Sequence, residues 1–187
     1  MLPAKFYHRE TVEVAQDLLG KILCHQNSKK QIYRGRLVEV EAYLGVEDPA
    51  CHTYKGRRTP RVASMYLPGG HAYIYMIYGM HFCLNVVTRD EKHPEAVLIR
   101  ALQPLHPVDL KTNGPGRLCS SLGLTKKQDG LCLFQKNSVL WLEEDDFSVK
   151  ASDIVKAPRV GVEYAKEASR WPLRFYLKDN PHVSRKK

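Results

Sequence analysis

The sequence predicts an α+β fold: one domain over residues 1–187 with a mainly antiparallel β-sheet and a few short helices. Three observations carry this. Short apolar or alternating segments recur at variable spacing, which suits strands rather than a helical bundle. Residues 71–87, "HAYIYMIYGMHFCLNVV", read as two strands folded back on each other. Only two stretches carry helix punctuation: "ETVEVAQDLLG" at the start and "GPGRLCSSLGL" past the middle.

Each element follows from its residues. In residues 10–20, Thr11 is a candidate N-cap, Val12, Ala15, Leu18 and Leu19 share a face, and Gly20 is a stop. "KILCHQ" reads as a strand, and residues 37–43 alternate as a second. Residues 45–70, rich in Gly, Pro, His and Arg, predict a long loop with one helical turn. Loops of that length in a compact domain are often functional. "EAVLIRALQPL" predicts a strand that ends at Pro104. "SVLWLEE", "APRVGV" and "PLRFYL" predict further short strands, and residues 184–187, "SRKK", a frayed basic tail.

A chain of 187 residues, 43% of them hydrophobic, can bury a sizeable core and is not disordered in composition. No apolar run approaches the roughly 20 residues needed to cross a bilayer. The first ten residues lack an apolar leader, so a cytoplasmic or nuclear location is expected. The five cysteines stand at scattered spacings without a CxxC pair, which predicts reduced, mostly packed thiols and no metal site. Lys plus Arg number 29 against 20 Asp plus Glu, a net charge of +9. Such an excess favours a polyanionic partner, nucleic acid above all.

Period two puts Glu39, Glu41 and Tyr43 on one face of their strand and Val38, Val40 and Ala42 on the other. That polar face either meets water or presents a general base; periodicity does not choose between the two carboxylates. The loop "EDPACHTYKGRRTPR" interleaves His52 and Tyr54 with Lys55, Arg57, Arg58 and Arg61, as phosphate contact plus base stacking requires. A solvated loop would look similar, and His52 alone would pass for a packed or surface histidine. In the hairpin, Tyr73, Tyr75 and Ile77 share a face, Tyr78 falls at the tip, and Gly79 supplies the dihedrals of a tight turn. Singly, Tyr75 reads as core and Asn85 as a strand-edge amide. Together with the loop they describe an aromatic prong that can enter a base stack.

The segments "RGRLVEVEAYLG", "EDPACHTYKGRRTPR", "YIYMIYGMHFCLNVV", "VLIRALQPL", "GPGRLC" and "RVGV…PLRFYL" together resemble the alkyladenine (3-methyladenine) DNA glycosylase family of the mammalian type, which also occurs in bacteria. The resemblance runs in order from about residue 2 to 184. It implies a compact α+β domain with a curved antiparallel sheet and a protruding hairpin. It implies excision of alkylated purines (3-methyladenine, 7-methylguanine) and of hypoxanthine from double-stranded DNA by a monomer without cofactor or metal, leaving an abasic site. By the same resemblance Glu41 is the general base, and Arg100 and the Val160 carbonyl help hold its water. Tyr43, His52 and Tyr75 stack around the flipped base, and Asn85 excludes the 2-amino group of guanine. Tyr78 intercalates, while Arg57, Thr59, Arg61 and Met80 touch the DNA. Residues 90–95 and 130–157 follow the family only loosely. Two other readings are open: a non-catalytic nucleic-acid-binding module using the same basic, aromatic surface, and a glycosylase-lyase with a lysine nucleophile, for which the catalytic face offers no lysine.

Overall fold

The structure is a computed structural model in which residues 1–185 are described. Two helices, α1 (Ala4–Tyr7) and α2 (Thr11–Leu18), precede β1 (Ile22–Gln26) and the long β2 (Ile32–Tyr43). Three 3-10 turns, Gly45–Glu47, Tyr54–Gly56 and Pro60–Tyr66, lead into the hairpin of β3 (Ala72–Ile77) and β4 (His81–Thr88). Then come β5 (Glu95–His106), α3 (Pro115–Leu122), β6 (Leu140–Glu143), β7 (Ile154–Ala157) and β8 (Arg174–Leu177).

All eight strands join one sheet in which every pairing is antiparallel. The main order is β3-β4-β5-β2-β1-β6; β8 pairs with β2 over residues 39–41, and β7 pairs with β8. α2 buries Val14, Ala15 and Leu18 against β2 and β5, and α3 buries Leu118, Cys119 and Leu122 against β4 and β5. The largest apolar cluster joins these helices to Leu37, Val40, Ile74, Leu84 and Ile99 of the sheet. Each such side chain removed from water contributes about 1.5–3 kcal/mol. All five cysteines are free thiols, and four are buried.

The structure departs from expectation at several points. Thr11 does not cap α2: Glu10 holds the cap position, and the buried Thr11 hydroxyl bonds Thr88 and Glu95 instead, at 2.6 and 2.5 Å. α1 and β7 lacked a legible pattern. Residues 45–70 hold three helical turns rather than one. β5 runs through Pro104 to His106, because the register slips between Arg34 and Gly35 and so tolerates a residue without an N–H. Residues 158–162 are not a strand, since β7 ends at Ala157 and Arg159 turns inward. The polar face of β2 does not meet water: Glu39 and Glu41 are wholly buried. The tail is not frayed at Ser184, whose N–H donates to Glu39 at 2.6 Å; Lys186 and Lys187 lie outside the described residues.

One buried ion pair fixes the loops at the end of β2. The Arg159 guanidinium forks onto Asp48, with Nη2 to Oδ1 at 2.8 Å, and also donates to the Ala42 carbonyl at 3.0 Å. Asp48 in turn accepts the N–H groups of Leu44 and Ala50 at 3.0 and 2.9 Å. Both side chains of the pair are fully buried. Asp48→Ala therefore leaves an uncompensated buried guanidinium and should cost about 3–5 kcal/mol, read as a lower midpoint in urea unfolding. A midpoint unchanged from wild type would contradict this account.

Candidate active site

Strand register assembles the site on one face of the sheet. Glu41 pairs with Leu98, Leu98 with Asn85, and Asn85 with Tyr73, a row across four strands. Residues two positions along share that face: Tyr43, Arg100, Cys83 and Tyr75. Above them lies a cavity of about 550 Å³, walled further by His52 and Arg61 from the loop and by Val160 and Tyr164 from the far side. That volume falls within the roughly 300–1,000 Å³ of small-molecule pockets.

Glu41 sits beneath this cavity rather than in its wall, and its bonded partners all line it. The Val160 N–H donates to Oε1 at 2.7 Å, the Tyr43 hydroxyl to Oε2 at 2.9 Å, and Arg100 Nη1 stands 3.4 Å from Oε1. Burial pushes the Glu41 carboxyl above the ordinary carboxylate range, and nearby Glu39 adds to the rise. Arg100, the Val160 N–H and the Tyr43 hydroxyl all act the other way. Residue 160 thus meets Glu41 through its amide; the expected carbonyl contact concerns a water, and no bond from that carbonyl to Glu41 occurs.

Arg100 also donates through Nε to Glu39 at 3.1 Å, and Arg174 donates to the same Glu39 oxygen at 3.0 Å. The two carboxylates of β2 are therefore bridged by one guanidinium. A register slip on either side of Glu39 lets both turn inward beside the same partner.

The aromatic wall is held as firmly. His52 meets Tyr75 edge to face, with centroids 4.6 Å apart and planes at 79°. Its Nδ1 hydrogen-bonds the Tyr73 hydroxyl at 2.8 Å. Burial pulls the His52 imidazole down to about 4, and Arg61 and Arg57 push the same way. His52 is thus neutral at pH 7. The buried Asn85 amide donates to the Tyr73 carbonyl at 3.1 Å. Tyr43 and Tyr75 are raised well above the usual phenol value, chiefly by burial, and so stay protonated.

The hairpin tip is different in kind. Tyr78 is 84% exposed, and Met80 beside it is 70% exposed. Both Tyr78 and Gly79 adopt the left-handed region, with φ of 54° and 69°. For tyrosine that conformation costs about 1–2 kcal/mol. Arg61 props the hairpin through Nη2 to the Met76 carbonyl at 2.9 Å and lies 5.2 Å over the Tyr75 ring.

Of the predicted residues, Tyr43, His52, Arg61, Tyr75, Tyr78, Asn85, Arg100 and Val160 line the cavity. Arg57, Thr59 and Met80 are exposed and do not line it. Sequence reading missed Cys83, Leu98 and Tyr164 in the wall, and the Arg159–Asp48 strut behind Tyr43. Period two along β4 and β5 could have found the first two. Among the described residues no lysine lines the cavity, and no three His, Cys, Asp or Glu side chains gather to hold a metal ion.

Comparison with known proteins supplies the identity. A protein of Bdellovibrio bacteriovorus described as a candidate 3-methyladenine DNA glycosylase is 56% identical over the whole of both chains. Proteins so described from Desulfitobacterium hafniense and Legionella pneumophila are 43% and 45% identical over 98% of each chain. These similarities define the class as the DNA glycosylases, hydrolases of the N-glycosidic bond. A family profile, methylpurine-DNA glycosylase, matches residues 5–181, and the chain belongs to that family.

The state of His52 is directly measurable. Its ring signals in NMR should titrate with a midpoint of about 4, against 6.5 for an ordinary histidine. The unfolded chain takes up that proton first, so neutral His52 contributes stability above pH 6.5 that is lost as pH falls toward 4. A midpoint at or above 6.5 would contradict its placement.

Proposed function

We propose that the chain removes methylated purines, 3-methyladenine foremost, from duplex DNA, with 7-methylguanine and hypoxanthine as further substrates. The enzyme works as a monomer and one catalytic domain, and it rotates the damaged nucleotide out of the helix into the cavity. The observation that carries this reading is the buried Glu41 carboxylate, bonded to three groups that line an aromatic cavity beside an exposed tyrosine prong.

The chemistry follows from the side chains. Extruding a base costs a few kcal/mol, least for a damaged one. Tyr78, exposed and held in a left-handed turn, fills the gap and offsets part of that cost through stacking, worth roughly 1–3 kcal/mol. N3-methylation makes adenine cationic, and the π faces of Tyr43, His52 and Tyr75 favour a cation. Neutral His52 adds no opposing charge. Asn85 stands in the row next to Leu98, where its amide crowds the 2-amino group of an undamaged guanine. Arg57, Thr59, Arg61 and Met80, beside the prong, take the DNA backbone and groove.

Glu41 accepts a proton from water, the water oxygen bonds to C1′, and the purine leaves with the electron pair of the broken bond. Arg100 and the Val160 carbonyl position that water. The negative carboxylate also favours the cationic sugar that forms as the bond breaks.

A duplex carrying defined lesions, followed by alkaline cleavage of abasic sites, tests the reading. Strand breaks at the methylated purine are expected; their absence with retained binding would leave only a binding module. Glu41→Gln should lower the single-turnover excision rate about 10²- to 10⁴-fold while still binding the lesion. Excision at the wild-type rate would refute the assigned base. Tyr78→Ser should weaken binding to a flippable lesion by about tenfold. Undiminished affinity would remove the prong from the mechanism.

A further inference from the structure

The segment 183–185 is docked against the machinery described above. The Ser184 N–H donates to Glu39 at 2.6 Å, and its hydroxyl accepts from Arg100 Nη2 at 3.3 Å. Arg174 Nη1 donates to the Arg185 carbonyl at 3.3 Å. The Ser184–Arg185 backbone is therefore tied to Glu39 on one side and to Arg174 on the other, and the Ser184 hydroxyl to Arg100. Val183 anchors the segment in the main apolar cluster.

This docking brings Arg185 to the cavity, where it is one of three arginines in the wall, with Arg61 and Arg100. The other two already hold protein groups. Arg100 bonds Glu39, Glu41 and Ser184. Arg61 holds the Met76 carbonyl and packs over the Tyr75 ring, and keeps further N–H donors for the DNA contact proposed above. The Arg185 side chain is exposed, and among the described residues no hydrogen bond or ion pair occupies its guanidinium. A fixed backbone with an uncommitted planar cation at a cavity mouth suits a phosphate, which guanidinium binds through two parallel hydrogen bonds.

We propose that Arg185 is a further DNA-binding residue, which clamps a backbone phosphate flanking the nucleotide rotated into the cavity. This rests on the proposed glycosylase reading and deepens it. The Glu39 carboxylate is then a positioning residue with two duties: it aims Arg100 at Glu41 and fixes the peptide that carries Arg185.

The test is single-turnover excision from a methylated duplex across enzyme concentrations and salt, with wild type, Arg185→Ala and Arg185→Lys. Arg185 is exposed, so neither variant threatens the fold. Arg185→Ala should raise the half-saturating concentration about fivefold to tenfold and lower the slope of log affinity against log salt by about one. Its plateau rate should stay within about twofold of wild type. Arg185→Lys should keep the salt slope but lose part of the affinity. Ser184→Pro deletes the N–H held by Glu39 and should weaken binding similarly. Unchanged half-saturation and slope in Arg185→Ala would overturn the proposal. Tighter binding would also overturn it, by showing that the segment plugs the cavity. A lowered plateau with unchanged half-saturation would assign Arg185 to the chemical step instead. Absence of excision by wild type would sink the glycosylase reading itself, an outcome separate from all of these.

Discussion

Everything at the site depends on keeping a carboxylate charged where water is scarce. Stripping an ion of its hydration costs several kcal/mol, so an isolated Glu41 would take up a proton and could not serve as the proposed base. Three donors oppose that: a backbone N–H, a phenol and a guanidinium. Hydrogen bonds to a charged acceptor contribute about 1.5–3 kcal/mol each, so these donors offset part of the burial, which still leaves the carboxyl above its ordinary range. A carboxyl raised in this way suits the proposed role of accepting a proton from water.

Each donor is secured by something further out. Val160 follows Arg159, whose fork onto Asp48 ties residues 158–160 to the loop after β2. The same guanidinium lies 4.7 Å over the Tyr43 ring. Arg100 is shared between Glu41 and Glu39, and Glu39 is held by Arg174 and Ser184 as well. The proposed catalytic geometry and the stability of the fold therefore use the same buried ion pairs. The prong obeys a different rule: Tyr78 gains nothing from the protein interior and accepts a strained dihedral to stay in solvent.

Much of this was legible in the residues. Period two separated Glu39, Glu41 and Tyr43 from the apolar side of β2, and Tyr78-Gly79 marked the tip. The antiparallel α+β class followed from strand spacing, and the family resemblance supplied the candidate roles. What stayed hidden was set by tertiary contact. Burial of the polar face of β2 depends on β8 and on a register slip that no local pattern announces. Thr11 looked like a cap but serves a buried network with Thr88 and Glu95. Arg159 sits in "APRVGV", which reads as strand until an acidic partner from 111 residues away draws it in. Ser184 lay in an apparently solvated run, yet Glu39 claims its amide.

The most direct measurement is the pH profile of single-turnover excision for wild type and Tyr43→Phe. Phenylalanine keeps the ring and removes one donor to Glu41. If the carboxylate is the base and its donors hold it ionised, the acidic limb of the profile moves to higher pH in the variant. An acidic limb at the same pH in both proteins would contradict the account.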